Sequence, residues 1–207
     1  LFQVGESSPL QPNSRPGDIR FKDVNGDGAL NAADKQNIGH FLPDFSYGVN
    51  FSANWKGFDA MLFLQGVQGN EIYSVVKYDL EGMTRLFNSG TAVLDRWTPE
   101  NTDTNVPRAV SGDPNGNARA SDRFVEDGSY FRIKNLTLGY NVSVASLGSL
   151  TNNSLSRLRI YVTTQNLLTL TKYESGYDPE IGNRNANVNG LTQGIDYGQF
   201  PQARSVI

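Results

Sequence analysis

The clearest chemical pattern in the sequence lies in residues 23–34, where oxygen-bearing side chains recur at short intervals. They occupy positions 1, 3, 5, 9 and 12 of this segment, and a backbone carbonyl is available at position 7. The six candidate ligands are Asp23, Asn25, Asp27, Ala29, Asn31 and Asp34. Calcium binds hard oxygen ligands in a loop of this spacing, and Gly28 stands at position 6, where the loop must turn sharply. The segment therefore predicts a Ca²⁺ site.

The calcium interpretation departs from an EF-hand in two ways. Asp34 replaces the glutamate that usually occupies position 12, and its shorter side chain makes bidentate binding harder. Flanking helices are not expected, because Pro16-Gly17 precedes the loop and Pro43 follows it. The alternative is an Asx-rich turn, in which the same side chains accept hydrogen bonds from the backbone.

Catalytic chemistry has little support in the sequence. There is no cysteine, the single histidine is His40, and neither a nucleophile elbow nor a phosphate-binding loop is present. Glu126-Asp127 is most simply a solvated loop corner. Asp178-Pro179-Glu180 could be a glycosidase carboxylate pair, but Asp-Pro favours a turn. We therefore expect that the protein is not an enzyme.

Composition excludes two further classes of protein. The 207 residues include 18 basic and 21 acidic ones, so there is no positive excess to attract nucleic acid. The longest apolar run covers residues 60–64, far short of the roughly 20 residues that a membrane-spanning helix needs. A transmembrane β-barrel stays open, because its strands alternate between apolar and polar residues.

Alternation with a period of two predicts several long strands. Residues 45–55 are apolar at every odd position and Ser, Gly or Asn at every even one. Lys56-Gly57 then predicts a tight turn. A short helix is predicted at 91–97, with Ser89 near its start and Pro99 beyond its end. The predicted strands cover residues 45–55, 58–67, 130–142 and 157–171, and a last one starts near Gln199.

The lengths of the connections between these strands are asymmetric. Because antiparallel strands alternate ends, the short connections 56–57 and 143–156 fall at one end of the sheet. The long connections 69–128 and 173–198 fall at the other end. Outer-membrane barrels have short periplasmic turns and long outer loops. The predicted fold is therefore all-β, an antiparallel up-and-down transmembrane β-barrel segment with long extracellular loops.

The side-chain types agree with a barrel wall. The Asn, Ser, Thr and Gly face suits a wet lumen and the aromatic and aliphatic face suits lipid, while Trp55 and Phe58 flank the tight turn, where an interfacial aromatic belt would lie. Aromatic side chains in the loops could stack on a sugar or a peptide. These candidate ligand-binding residues are Tyr73, Tyr78, Trp97, Tyr173 and Tyr177.

With these segments in order, the chain resembles the C-terminal part of a SusC/RagA-like TonB-linked outer-membrane transporter. The stretches that carry the resemblance are PGDIRFKD at 16–23, KGFD at 56–59, QGVQGN at 65–70, RWTPEN at 96–101, SDRFVEDGSY at 121–130, NLTLGY at 135–140, QNLL at 165–168, GYDPE at 176–180 and PQ at 201–202. They span nearly the whole chain, and their order and spacing are specific.

The resemblance implies a large closed barrel in the outer membrane of a Gram-negative bacterium. Such a transporter imports oligosaccharides or peptides, is energised through TonB and works with a SusD-like surface lipoprotein. Residues 1–207 would form a C-terminal part of the barrel and bind the rest of the barrel and the lipid bilayer. The plug, the TonB box and the closing strand would lie outside this sequence. The outer loops 69–128 and 173–198 would carry binding residues.

A second interpretation belongs to a different class. The calcium-type loop at 23–34 also has the look of a dockerin loop, which favours a secreted, calcium-stabilised β-sandwich that binds carbohydrate or a scaffold protein. A second copy of the loop is missing from the sequence, and so are the helices that would follow it. The two interpretations differ in whether the apolar face of residues 45–55 is buried.

Overall fold

A computed structural model describes residues 1–143, 157–182 and 193–207 of the chain. It divides into two compact units, each with its own packing. The loop unit consists of Leu1–His40, Tyr73–Val125 and Ile195–Gly198, and the sheet unit of Phe41–Ile72, Glu126–Gly194 and Gln199–Ile207. Most of the predicted connection 143–156 and residues 183–192 of the connection 173–198 lie outside the described residues.

The described residues are mostly strand, with little helix. The strands are β1 (Phe45–Trp55), β2 (Phe58–Gln68), β3 (Glu71–Ser74), β4 (Val125–Asp127), β5 (Tyr130–Val142), β6 (Leu158–Thr171), β7 (Ile195–Asp196) and β8 (Ser205–Val206). One α-helix, α1, covers Val75–Glu81, and 3₁₀ turns cover Ala32–Asp34, Thr91–Asp95 and Asp122–Phe124. The four long predicted strands are confirmed. The last predicted strand begins later than expected, at Ser205 instead of near Gln199.

The long strands form one antiparallel sheet in the order β1-β2-β5-β6-β8. Lys56 and Gly57 both have positive φ, as a two-residue hairpin turn requires, and the register of β1 on β2 runs from Trp55 opposite Phe58 to Phe45 opposite Gln68. The short strands form a second sheet in the order β4-β3-β7. The long sheet has the predicted up-and-down order and is open, with β1 and β8 at its edges.

The register gives the long sheet an apolar face and a polar face. Phe51, Leu62 and Leu136 lie opposite one another on the apolar face. On the polar face, Thr137 and Thr163 lie opposite each other, with their hydroxyl oxygens 2.7 Å apart. Side chains of the apolar face stay exposed, Ile160 by 63% of its surface. The sheet unit therefore buries little of this face.

Two irregularities interrupt the pairing of the long strands. The register of β2 on β5 shifts between Ile133 and Asn135, so Lys134 is an extra residue, a β-bulge. In β6, Asn166 has a φ of 50°, a left-handed conformation that asparagine tolerates better than most residues. Its side-chain Nδ2 donates a hydrogen bond to the Ala203 carbonyl at 3.0 Å, which ties the approach to β8 onto β6.

The loop unit is organised around a buried carboxylate. Asp18 is fully buried, and the Arg108 guanidinium donates to both of its oxygens, at 2.7 and 3.1 Å. Asn117 Nδ2 and the Arg15 backbone N–H donate two more hydrogen bonds, at 2.9 and 2.8 Å. Because every oxygen of this carboxylate has partners, the charge can be buried. It fastens the N-terminal segment to residues 108–117.

The helical prediction for the long connection was only partly right. Residues 91–95 form a 3₁₀ turn with Gly90 at its N-cap and no side-chain cap hydrogen bond, so Ser89 does not cap it. The α-helix lies earlier, at α1, where the Ser74 hydroxyl accepts a hydrogen bond from the Lys77 backbone N–H at 3.1 Å. Every helix in the described ranges is too short or too polar to cross a bilayer.

We expect Asn166→Ala to destabilise the protein more than Asn166→Gly does. Both changes remove the hydrogen bond to Ala203, which contributes about 1 kcal/mol. Alanine in the left-handed region costs roughly another 1 kcal/mol, whereas glycine adopts this conformation freely. Urea unfolding of the full-length receptor compares the free energies of unfolding of the two variants. Equal stability of the two variants would show that the conformation of Asn166 is not under this constraint.

Candidate calcium loop and polar-face site

The loop at residues 23–34 is closed by hydrogen bonds from its own backbone to its carboxylates. Asp23 accepts from the Gly26 N–H at 2.7 Å and from the Gly28 N–H at 2.9 Å. Asp27 accepts from the Ala29 N–H at 2.9 Å. Gly26 and Gly28 have φ of 75° and 81°, the left-handed conformation that glycine adopts without strain. The chain therefore curls around its first carboxylate.

The second half of the loop is closed by Asp34. Its carboxylate accepts hydrogen bonds from the backbone N–H groups of Val24 and Asn31, both at 2.8 Å. The Asn31 side chain accepts from Ala33 N at 2.7 Å, so Asn31 and Asp34 form a capping box around the turn Ala32–Asp34. Asp34 thus brings the last candidate ligand back beside the start of the loop.

The donor chemistry of the loop fits calcium, while the hydrogen bonds also satisfy the Asx-turn alternative. Asn25 and Asn31 donate from their side-chain amides to Asp27 Oδ2, at 2.9 and 3.3 Å, and these bonds lower the pKa of Asp27. Ligation would require these amides to present their oxygens instead. Among the described residues, no three His, Cys, Asp or Glu side chains converge as a metal site. An ion here would therefore need the amide and backbone oxygens as well.

The acidic pair at Asp178 and Glu180 is structural in this arrangement. Arg132, only 1% exposed, donates to Asp178 at 2.6 Å, to Glu180 at 2.7 Å and to the Thr169 hydroxyl at 2.9 Å. Lys134 donates to the same Glu180 oxygen at 2.7 Å. Both carboxylates are held by fixed cations, which leaves neither available as a general acid.

The pKa of Asp178 shows how well this buried carboxylate is compensated. Burial by itself raises the pKa, but hydrogen bonds from the backbone N–H groups of Gln202 and Glu180, together with Arg132, lower it overall. The bond from Glu180 N, at 2.9 Å, closes the Asx turn that the Asp-Pro sequence predicts. The lowered pKa keeps Asp178 charged, and therefore paired with Arg132, throughout the neutral range.

Glu126 corrects one sequence-based expectation. It is not a solvated corner, because its carboxylate accepts hydrogen bonds from Ser175 Oγ at 2.6 Å and from the backbone N–H groups of Ser175 and Glu174. The missed signal is the antiparallel pairing of the long strands: Glu126 lies four residues before β5 begins, and its partners lie three and four residues after β6 ends, so the pairing of β5 with β6 brings them to the same end of the sheet. Asp127 fits the expectation better, since it is exposed and accepts from Ser129 N in an Asx turn.

The polar face carries a second ion pair towards the end with the tight turn. Arg159 donates to both oxygens of Asp59, from Nε at 3.0 Å, and the Asn141 side chain also donates to Asp59. These residues lie on β6, β2 and β5, so the network crosses three strands. This pair is more exposed than the one around Arg132.

A pocket of about 300 Å³ lies at the opposite end of the polar face, within the sheet unit. Its floor contains Val67 and Tyr130, which are paired on β2 and β5, together with the buried Pro179. Phe41 and Leu42 form one wall. The phenol oxygen of Tyr130 accepts a hydrogen bond from Gln65 Nε2 at 3.3 Å.

The five loop aromatics differ in how far their rings are exposed within their own units. Tyr73 and Tyr78 both pack edge-on against Phe124, with ring centroids 6.2 and 5.4 Å from it, and burial raises the pKa of Tyr73. Trp97 is buried, and Tyr173 is buried as well. Only Tyr177 presents its ring to the surroundings, with 69% of its surface exposed. His40 lies in an exposed loop segment.

The fold and the two-faced sheet define the class of protein. Long antiparallel strands in up-and-down order, apolar on one face and polar on the other, form the wall of a transmembrane β-barrel. The solved structure of the RagAB peptide transporter matches 87% of this chain with a TM-score of 0.68 and 25% identity. The RagAB peptide importer in its closed-closed state matches the same share with a TM-score of 0.67. The chain covers 19% of each of these structures.

Sequence comparison narrows the class to a family. No family model matches the chain. It is 38% identical to TonB-dependent receptor P3 of Formosa agariphila over 96% of its own length, and 27% identical to TonB-dependent receptor SusC of Bacteroides thetaiotaomicron over 94%. The chain is a segment of a SusC/RagA-like TonB-dependent transporter, as the sequence motifs indicate. It spans about a fifth of the length of these relatives.

The comparisons also bear on location and catalysis. TonB-dependent receptors, SusC and RagAB are proteins of the Gram-negative outer membrane, and this location is confirmed for the chain. The matched proteins are receptors and importers, so the expectation that the protein is not an enzyme is confirmed.

We predict that Arg132→Met releases the segment 173–182 from the sheet. The change leaves the Asp178 carboxylate buried without its cation, at a cost of about 3 to 5 kcal/mol. Hydrogen exchange of this segment, measured in the full-length receptor, should accelerate strongly. Arg159→Met is the matched control, because it breaks a more exposed ion pair on the same face, which solvent already screens, and it should accelerate hydrogen exchange much less. Equal acceleration of hydrogen exchange in the two variants would show that the buried pair of Arg132 and Asp178 stabilises the segment no more than an exposed ion pair does.

Proposed function

We propose that the receptor containing this chain imports an oligomeric nutrient, an oligosaccharide or a peptide, across the outer membrane. The observation that carries the proposal is the 38% identity to a TonB-dependent receptor along almost the whole chain. The polar face supports it, because a wall that lines a transport path needs polar side chains on its inner side. The relatives leave the nutrient class open, since the RagAB structures are of a peptide importer while the matched receptors, SusC among them, carry names that state no nutrient.

Partners follow from the same proposal. A SusD-like surface lipoprotein would cover the outer opening, and TonB would supply energy through a plug domain. The chain spans only about a fifth of its relatives, so these contacts would be made largely by other parts of the receptor. The contribution of this chain is a stretch of barrel wall, with binding residues on the connections that follow β2 and β6.

The sandwich alternative is not supported. A β-sandwich buries the apolar faces of its two sheets against each other. In the sheet unit, large side chains of the apolar face are exposed; they are Phe45, Val49, Phe51, Trp55, Phe58 and Ile160. The strands of the small sheet have only two to four residues, too few to cover strands of eleven to fourteen.

Import is tested by growth and uptake. We expect cells with the receptor gene deleted to lose growth on one class of oligosaccharide or peptide while growing normally on its monomers. The intact gene should restore growth, and should fail to do so in cells that lack TonB. Unchanged growth and uptake on every polymer that the wild-type cells use would overturn the proposal.

We also propose that residues 23–34 bind one Ca²⁺ ion, through the side chains of Asp23, Asn25, Asp27, Asn31 and Asp34 and the carbonyl of Ala29. The preformed curl of the loop around Asp23 supports this, because the backbone needs little further ordering when an ion binds, while the side-chain amides of Asn25 and Asn31 turn to present their oxygens. The chain enters β1 shortly after the loop, at the end of the sheet opposite the tight turn. The ion would therefore stabilise an outer loop, where calcium is plentiful.

Metal analysis of the purified receptor tests this proposal. After removal of metal with a chelator and refilling, we expect calcium uptake that drops by one ion per receptor in Asp23→Ala and Asp27→Ala. Asp113→Ala is a suitable control, because this aspartate caps a loop turn elsewhere in the loop unit. Equal calcium content in all variants would favour the Asx turn without an ion.

A further inference from the structure

The pocket at the end of the polar face has an unusual lining for a polar wall. Most of the side chains around it are apolar, among them Phe41, Leu42, Val67 and Ile181. Val67 lies at a polar-face position, since it is opposite Ser46 on β1 and Tyr130 on β5. An apolar recess within a polar surface is the usual composition of a site that binds part of a ligand.

The charged groups next to the pocket are already neutralised. Glu180 lines it, but its carboxylate is paired with both Arg132 and Lys134. The Arg132 guanidinium also lies 5.4 Å from the ring centre of Tyr130 and is itself buried. A charged ligand group placed here would lose its hydration without gaining a free counter-ion, which is costly. The pocket therefore favours an uncharged group.

The rim of the pocket is shaped by close backbone packing. Gly194, with a φ of 75°, lies so close to Phe41 that a Cβ atom there would clash with the Phe41 Cβ. On the other side, the Gly182 backbone N–H donates to the Gln199 side chain. The segment at Gly194 is thus packed against Phe41, and Gln199 holds the backbone at Gly182, so that the residues around the pocket form a recess instead of an open surface.

We propose that this pocket is a subsite that takes an uncharged, largely apolar group of the imported nutrient. Two sources share this chemistry: an aliphatic or aromatic side chain of a peptide, and the apolar face of a neutral sugar unit. Tyr130 and Glu180, which both line the pocket, provide the few polar contacts that orient such a group. The inference rests on the proposed import function and specifies where on the wall, and for which chemistry, binding occurs.

The test uses the full-length receptor, purified in detergent, and four probes. The probes are a leucine-rich heptapeptide, the same peptide with aspartate in place of leucine, maltohexaose and an acidic uronate hexamer. Leu42→Asp introduces a charge at the pocket wall, and because Leu42 is 64% exposed the change should not disturb folding. Leu86→Asp, at a side chain that is 98% exposed and outside the pocket, is the matched control.

We expect the wild type to bind one uncharged probe, the peptide or the sugar, which identifies the source. Leu42→Asp should weaken that binding by about tenfold or more, the effect of a charge placed against an apolar ligand group, while Leu86→Asp binds as the wild type does. Wild-type preference for an acidic probe, or no binding of any probe, would overturn the stated chemistry. Equal binding by Leu42→Asp and wild type would overturn the subsite. The growth test on cells that lack the receptor gene decides, independently of these binding results, whether the receptor imports a nutrient.

Discussion

Cross-strand register is the constraint on which this chain depends, because its long sheet has no buried core to hold it. The large apolar side chains of β1 and β6 remain largely exposed and most of those on β2 are only half-buried, so hydrophobic burial within the chain contributes little to the position of these strands. What fixes them is the continuous ladder of backbone hydrogen bonds from β1 to β8. In a bilayer each unpaired backbone group would cost several kcal/mol, so the open edges at β1 and β8 require further strands beside them. The apolar face then gains its stabilisation from lipid.

The connecting segments are polar, and they must be ordered by interactions other than the strand ladder. Two buried arginine–carboxylate pairs contribute to this order. Arg108 and Asp18 join distant parts of the loop unit, and Arg132 and Asp178 hold the segment after β6 to the sheet. Such pairs stabilise only when every charge has partners, and both carboxylates have additional backbone or amide donors. Loops of Gly, Asn and Ser can therefore be specific in shape with only a small buried apolar cluster, to which Phe2, Trp97 and Phe124 belong in the loop unit.

The sequence predicts the elements that follow one regular period and misses those that depend on distant partners. The alternation in residues 45–55 is unbroken, and β1 has those bounds. The helix α1 was missed because Val75-Val76 disfavours a helix locally, while its Ser74 cap and packing on neighbouring residues form it. For the site, the curl of residues 23–34 follows from local spacing. The roles of Arg132 and Glu126 do not, since Asp178 lies 46 residues from Arg132 and Ser175 lies 49 residues from Glu126 in sequence.

Because of the β-bulge at Lys134, β5 contributes side chains both to the polar network around Arg132 and to the apolar face. Strict alternation from Arg132 would place Leu136, Leu138 and Tyr140 on the polar side. The extra residue shifts the alternation of side chains by one position. These three residues therefore face the apolar side, while Arg132 still reaches Asp178. The bulge also lets Lys134 reach Glu180, which completes the neutral surroundings of the pocket. The bulge thus decides which charged side chains lie on the polar face. Without it, the side chains of one half of β5 would point to the opposite face of the sheet.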